Sequence, residues 1–209
     1  MGTDGHAGHH GRNHPHGAFE GRATRLYDVL ARRFLRGAYR RIAEDIALAA
    51  PADGAVLDVG TGPGVLLGEI ARIRPDLQVT GIDRSPDMVG AAGRNVGGFG
   101  GRVATRVADV ADLPFGDGTF DLVVTSLSLH HWDDVDAAAG ELARVLRPAG
   151  RVFVYDFPSA PFPALDAAAR AHGLRPGGPA RHTAIRTGQR FFPRCVRHVL
   201  SAPGARPQE

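Results

Sequence analysis

The chain has 209 residues, 43% apolar and 22% charged, which suits one well-buried globular domain with small appendages. All 25 basic residues are arginine, so a pI near 9.7 on a chain of formal charge +3 reflects arginine's high pKa and argues against a nucleic-acid partner. A single cysteine, Cys195, excludes an internal disulfide framework and a cysteine-rich zinc site and points to a reducing cytoplasm.

Residues 1–17, "MGTDGHAGHHGRNHPHG", lack the apolar stretch of a secretory signal and read as a mobile tail. Its imidazoles, His6, His9, His10, His14 and His16, could ligate zinc, nickel or copper. Without cysteine or carboxylate support such a site is poorly selective, and incidental metal affinity is the plainer reading. Residues 18–50 form a helical extension: Leu26, Leu30, Phe34, Ala38, Ile42 and Ile46 recur every four positions, which predicts amphipathic helix in two segments hinged at Gly37.

The texture changes over residues 51–157. "AVLDVG" (55–60), "QVTGID" (78–83), "VATRVAD" (103–109), "FDLVVTSLS" (120–128) and "GRVFVYDF" (150–157) read as strands, separated by helical patterns at 64–73, 86–96 and 134–147. The last helix is closed by "RPAG". Residues 109–119 are too few for a crossover helix and predict a loop or a single turn. The alternation implies an α/β fold of Rossmann-like, doubly wound type: a mainly parallel sheet with helices on both faces. Nowhere does an apolar run reach the roughly 18–20 residues that span a bilayer. Residues 158–209 form a C-terminal extension that completes the sheet and the acceptor side. In it "PFPALDAAARAHGL" reads as a further helix, and "HTAIRTG" and "CVRHVLSA" as two paired strands.

The nine residues "VLDVGTGPG" (56–64) carry the strongest chemical signal. Gly60, Gly62 and Gly64 allow a tight strand-to-helix turn that a ligand can approach without meeting a Cβ. Asp83 ends the next strand, 23 residues beyond Gly60, where an acid can accept both hydroxyls of a ribose. The dinucleotide fingerprint would require glycine at the position of Val65, and a phosphate loop would require lysine, which the chain lacks. Other readings stay open: Asp83 and Asp109 as helix caps or turn residues, Met88 as core packing, Asp121 as structural.

"VLDVGTGPG", "VTGIDRSPDMV", "VADVADLPFGDGTFDLVVTSLSLHHW" and "ELARVLRPAGRVFVYDF" together resemble the successive motifs of class I S-adenosylmethionine-dependent methyltransferases, in particular the small-molecule group of the ubiquinone/menaquinone-biosynthesis type. The resemblance covers residues 54–157. It implies that Gly60, Thr61, Gly62 and Gly64 contact the methionine part of S-adenosyl-L-methionine and that Asp58 organises the turn and the cofactor's ammonium. It further implies that Asp83 holds the ribose, that Arg84 and Met88 lie beside the adenine, and that Asp109 with the Val110 backbone reads the adenine edge. Ser126, in the fourth strand, joins this set.

The implied reaction is in-line attack by a small-molecule acceptor on the sulfonium methyl, with a general base needed only where the acceptor must lose a proton. His130 and His131 are candidates for that base, though "HHW" also reads as a loop packing over the cofactor. Trp132 is a lid or packing residue, and Tyr27, Phe34 and Tyr155 to Phe157 are candidate walls of the acceptor pocket. Competing readings are an NAD(P)-dependent oxidoreductase and a non-catalytic metal-handling or regulatory protein on the same fold. Residues 1–50 carry eight arginines against five acids, 51–157 nine against fifteen, and 158–209 eight against two. Arg175, Arg181, Arg186 and Arg190 in that basic extension suit either a solvated face or attraction of an anionic acceptor. Neither the acceptor nor an oligomeric state follows from the sequence.

Overall fold

The computed structural model describes residues 36–176, 183–185 and 195–205. The order is α1 (Arg36–Ala49), β1 (Ala55–Val59), α2 (Val65–Ile73), β2 (Gln78–Asp83), α3 (Pro86–Val96), β3 (Val103–Val107), β4 (Phe120–Ser126), α4 (Val135–Val145), β5 (Leu146–Asp156), α5 (Phe162–Ala171), β6 (Arg175–Pro176), β7 (Thr183–Ile185) and β8 (Cys195–Ser201). Between β3 and β4 the chain makes only turns and an isolated bridge from Asp109 to Asp112, as the short spacing requires. Gly37 lies in the first turn of α1, and the expected segment before it falls outside the described residues.

The strands form one sheet in the order β3-β2-β1-β4-β5-β8-β6, with β7 also paired to β8. The first five in that path are parallel, whereas β8 runs antiparallel to β5, β6 and β7. Alternation along the strands sends side chains into two cores. Val56, Leu122, Val124, Phe153 and Tyr155 pack with Ile42 and Ile46 of α1 and Leu66, Leu67 and Ile70 of α2. Leu57, Val123, Val152 and Val154 pack with Leu142 of α4 and Leu165 of α5 on the other face. The predicted stop "RPAG" bulges from the ladder: Phe120 faces Leu146 but Leu122 faces Arg151, and Ala149 takes a φ of 66°.

Caps set the helix starts. Ser85 Oγ accepts the Met88 N–H at 3.3 Å with Pro86 in the first turn of α3, and Asp134 accepts the Ala137 N–H at 2.9 Å at the head of α4. A part-buried cluster ties α1 across β5 to β8. Tyr155 donates its hydroxyl to Asp45 at 2.6 Å, and Arg197 Nη1 reaches both Asp45 oxygens at 2.7 and 2.8 Å. Among the described residues no helix is long and apolar enough to cross a membrane.

Candidate functional site

After β1 the chain crosses to β2 and β3 on one side, then returns to β4 and β5 on the other. The carboxyl ends of β1 and β4 therefore flank the point where strand order reverses, the crevice in which open α/β sheets bind ligands. The glycine turn lies there. Gly60, Gly62 and Gly64 have φ of 70°, 52° and 77°, a left-handed conformation that a Cβ disfavours. Their surroundings differ. A Cβ on Gly60 would strike Ser128, one on Gly64 would stand 2.9 Å from the Cβ of Ala92, and one on Gly62 would meet nothing within 4 Å.

Hydrogen bonds hold the turn from several sides. The Thr61 N–H donates to the Ile82 carbonyl at 2.8 Å, and Asn95 donates to the Pro63 carbonyl at 2.7 Å. Asp58 is fully buried and accepts from the Thr61 hydroxyl at 2.7 Å, while its Oδ1 has no hydrogen-bond partner. Burial pushes its carboxyl up to about 7, the Thr61 bond opposing and the nearby charge of Asp83 adding to the rise. Asp83 accepts the Gly62 N–H and the Ser85 N–H, both at 2.9 Å. Burial raises its pKa as well, against those two N–H groups and the charge of Arg84.

Arg84 spans the mouth of the crevice, with Nη1 at 2.7 Å from Asp133 and Nε at 3.4 Å from Asp109. Asp109 makes an Asx turn, accepting the Ala111 N–H at 3.0 Å. Val110 and Met88 are buried, and Ser126 is buried at the end of β4. The connection carrying Asp109 and Val110 is clamped from α4. Arg144 donates to the carbonyls of Phe115 at 2.6 Å and Leu113 at 2.9 Å, and Glu141 accepts the Leu113 N–H at 2.7 Å.

Beyond β4 the chain turns through Leu127 at a φ of 54° into a short 3₁₀ turn, Leu129–His131. Trp132 packs on the core and donates to Ser128 Oγ at 3.1 Å, a packing role. His130 meets the fully buried Asp156, with Nδ1 at 2.8 and 3.1 Å from its two oxygens. His131 lies with its ring 4.0 Å from that of His130, and its pKa is lowered by burial and by that neighbour.

The expected acceptor walls need correction at Tyr155. It is an interior residue of β5, fully buried toward α1, because its hydroxyl finds Asp45 there. Phe157 does stand beside the His130 ring, centroids 5.3 Å apart. Asp121 is structural, accepting from the Ala55 N–H at 2.8 Å and from Arg147 at 2.7 Å. Tyr27, Phe34, Arg181, Arg186, Arg190 and the tail histidines His6, His9, His10, His14 and His16 lie outside the described residues. Arg175 pairs with Ser201, itself opposite Arg151 at the amino end of the β5 ladder, so it sits at the edge of the sheet away from the crevice. No metal-binding group of His, Cys, Asp and Glu occurs among the described residues. The sequence places Asp156 only among the candidate walls, and its pairing with His130 is not legible there because the partner is 26 residues away and no local spacing links the two.

Comparisons with known proteins agree with this geometry. A family model described as "Methyltransferase domain" matches residues 57–154. Demethylmenaquinone methyltransferase of Thermus thermophilus is 39% identical over 138 residues, 65% of this chain and 62% of that protein. Nocamycin O-methyltransferase of Saccharothrix syringae is 38% identical over 134 residues, 63% of this chain and 47% of that protein. The chain thus spans between about half and just under two thirds of these relatives. A solved structure of a putative S-adenosyl-L-methionine-dependent methyltransferase from Methanococcus maripaludis superposes with a TM-score of 0.69 at 20% identity, covering 95% of this chain and 99% of that one.

Proposed function

We propose that residues 57–154 form a class I S-adenosylmethionine-dependent methyltransferase domain, as the matching family model and relatives support, and that the chain methylates a small-molecule acceptor at the carboxyl ends of β1 and β4. One observation carries the reading: Gly62 is left-handed and faces open space, while the acid ending β2 holds its N–H from behind. A backbone shaped in this way admits a ligand against the main chain and places a ribose-binding carboxylate beside it.

The donor set fits the cofactor. S-adenosylmethionine, when bound, supplies a methyl group already activated by a sulfonium leaving group. Asp83 keeps lone pairs free for ribose hydroxyls, since each of its oxygens accepts one N–H from the protein. Asp58 offers a buried oxygen without a partner to an ammonium or to a water beside it. Arg84, Met88, Asp109 and Val110 line the adenine side, and Thr61 and Ser126 complete the floor. What these residues contribute to the rate is orientation and exclusion of water rather than activation. The sequence's single cysteine supports a reducing, cytoplasmic setting.

Calorimetric titration tests the cofactor assignment. S-adenosylhomocysteine should bind, and NADH should not compete with it. Tritium from methyl-labelled S-adenosylmethionine should then appear in an added small molecule. Binding of NADH in preference to S-adenosylhomocysteine would overturn the reading in favour of an oxidoreductase.

A further inference from the structure

Asp58 sits one residue before the end of β1, paired in the ladder with Gly81 of β2 and Val124 of β4. A Cβ on Gly81 would stand 2.8 Å from the Thr61 hydroxyl, so the bare position leaves room for that hydroxyl to reach back to Asp58 Oδ2 at 2.7 Å. Three acids are buried among the described residues. Glu69 has the guanidiniums of Arg36 and Arg72, and Asp156 accepts the backbone N–H groups of His130 and Phe157. Asp58 has one hydroxyl, and its Oδ1 has no hydrogen-bond partner. Alternation with Leu57 puts it on the face of α1 and α2, whose acids Asp45 and Glu69 already hold arginines. The charge that acts on it from β2 is that of Asp83, also negative, and Arg84 beyond is engaged with Asp133 and Asp109. Ionised, Asp58 would be a lone negative charge in the interior beside a second one, so burial holds it as the neutral acid up to about pH 7.

We propose that Asp58 couples cofactor binding to the loss of a proton: neutral in the free protein, it ionises when the ammonium of the ligand's amino-acid end arrives, and so separates ligands carrying that ammonium from adenosyl compounds without it. The inference rests on the methyl-transfer reading above. The Asp58 O–H bond breaks with its electron pair staying on oxygen, water or buffer takes the proton, and the ammonium keeps all of its own. An ammonium at the orphaned oxygen supplies the counter-charge that the interior lacks. An opposite charge within about 4–6 Å favours a carboxylate by roughly tenfold to a thousandfold. The sign follows, since binding draws on the ionised form: affinity rises as pH rises toward about 7, where the free protein releases the proton unaided. The ligand's own amine stays charged over that range, titrating near about 8. Asp83, at the ribose end, is a separate group, because its oxygens already accept the Gly62 and Ser85 N–H groups, which favour its charged form.

Calorimetry counts the protons. S-adenosylhomocysteine, titrated at pH 6 in buffers of different ionisation enthalpy, should release about 0.4–0.9 proton per site. Its affinity should rise about 5- to 50-fold between pH 5 and pH 7. Methylthioadenosine, which has the same adenosyl thioether and no amino acid, should release less than half as much. Asp58→Asn keeps an acceptor for Thr61, and it should abolish the release and flatten the pH dependence of S-adenosylhomocysteine binding. Difference infrared spectroscopy of the parent gives a readout that does not depend on the variant folding: a protonated carboxyl band should vanish on adding S-adenosylhomocysteine and persist with methylthioadenosine. Binding of S-adenosylhomocysteine without proton release, equal release with methylthioadenosine, or undiminished release in folded Asp58→Asn overturns the proposal. A parent that binds neither ligand refutes the methyl-transfer reading itself, a result separate from the other three.

Discussion

The Asp83 carboxylate accepts the N–H of Gly62 at 2.9 Å, so one acid at the end of β2 fixes the apex of the turn that ends β1. The residue holds the turn, and on the proposed reading it also receives the ribose. Asp83→Ala should weaken S-adenosylhomocysteine binding at least tenfold, since charge-assisted hydrogen bonds contribute about 1.5–3 kcal/mol each. Calorimetry on the folded variant is the measurement, and undiminished affinity would rule out the ribose assignment.

Gly60 and Gly62 should fail in different ways. Alanine at either position carries a left-handed penalty of roughly 1–2 kcal/mol. At Gly60 the new methyl also drives into Ser128, whereas at Gly62 it enters open space. Gly60→Ala is thus expected to lose more stability, and Gly62→Val to lose cofactor affinity before stability. Thermal melts set beside binding titrations separate the two. Tight binding by Gly62→Val would show that this space holds no ligand.

Burial raises the folded-state pKa of Asp58 to about 7 from an ordinary 3.8. Between those values the native protein holds a proton that the unfolded chain has released. This group's contribution therefore falls as pH rises from about 4, and the deficit is complete above about 7. Asp58→Asn abolishes the titration while still accepting from Thr61. Its stability relative to the parent should grow between pH 4 and pH 8, by up to about 4 kcal/mol. Urea unfolding at both pH values tests this, and a difference that does not vary with pH would count against the raised pKa.

Arg144 holds the connection that presents Asp109 and Val110, and the two carboxylates beside it, Glu141 and Asp117, push its pKa further up. Arg144→Met should cost roughly 2 kcal/mol, the range for hydrogen bonds to a charged group. It should also weaken S-adenosylhomocysteine binding several-fold, although it is not one of the residues proposed for the adenine side. Unaltered affinity in a destabilised variant would restrict the clamp to a structural role.

Local chemistry is what the sequence made legible. β2 lies at Gln78–Asp83, where "QVTGID" was read, and α3 at Pro86–Val96, because Ser85 and Pro86 start it by contacts within one turn. The glycine turn was visible for the same reason, since its conformation is written in consecutive residues. What escaped depends on residues brought together by the sheet. Asp156 was passed over as one of a run of wall residues, because its partner comes from another strand end. Tyr155 was placed on the wrong side because alternation does not say which face of β5 looks toward α1. The bulge at 147–150 follows from pairing with β4, which no single segment records.

The bond between Asp45 and Arg197 joins positions 152 residues apart, and this sets the order in which the chain can be assembled. During synthesis the amino-terminal half emerges first, and β1 to β5 can pair from contacts close along the chain. The helix carrying Asp45 has its full anchor only when β8 arrives. Until then Asp45 has the Tyr155 hydroxyl but not the Arg197 guanidinium, and the outer edge of β5 stands unpaired, open to another chain. Late completion should thus make this edge the point of vulnerability in a nascent or truncated chain. Hydrogen exchange can decide the matter: a chain ended before Cys195 should lose protection first in α1 and β5 and keep it longest in β1 and β2, and uniform loss would contradict this order.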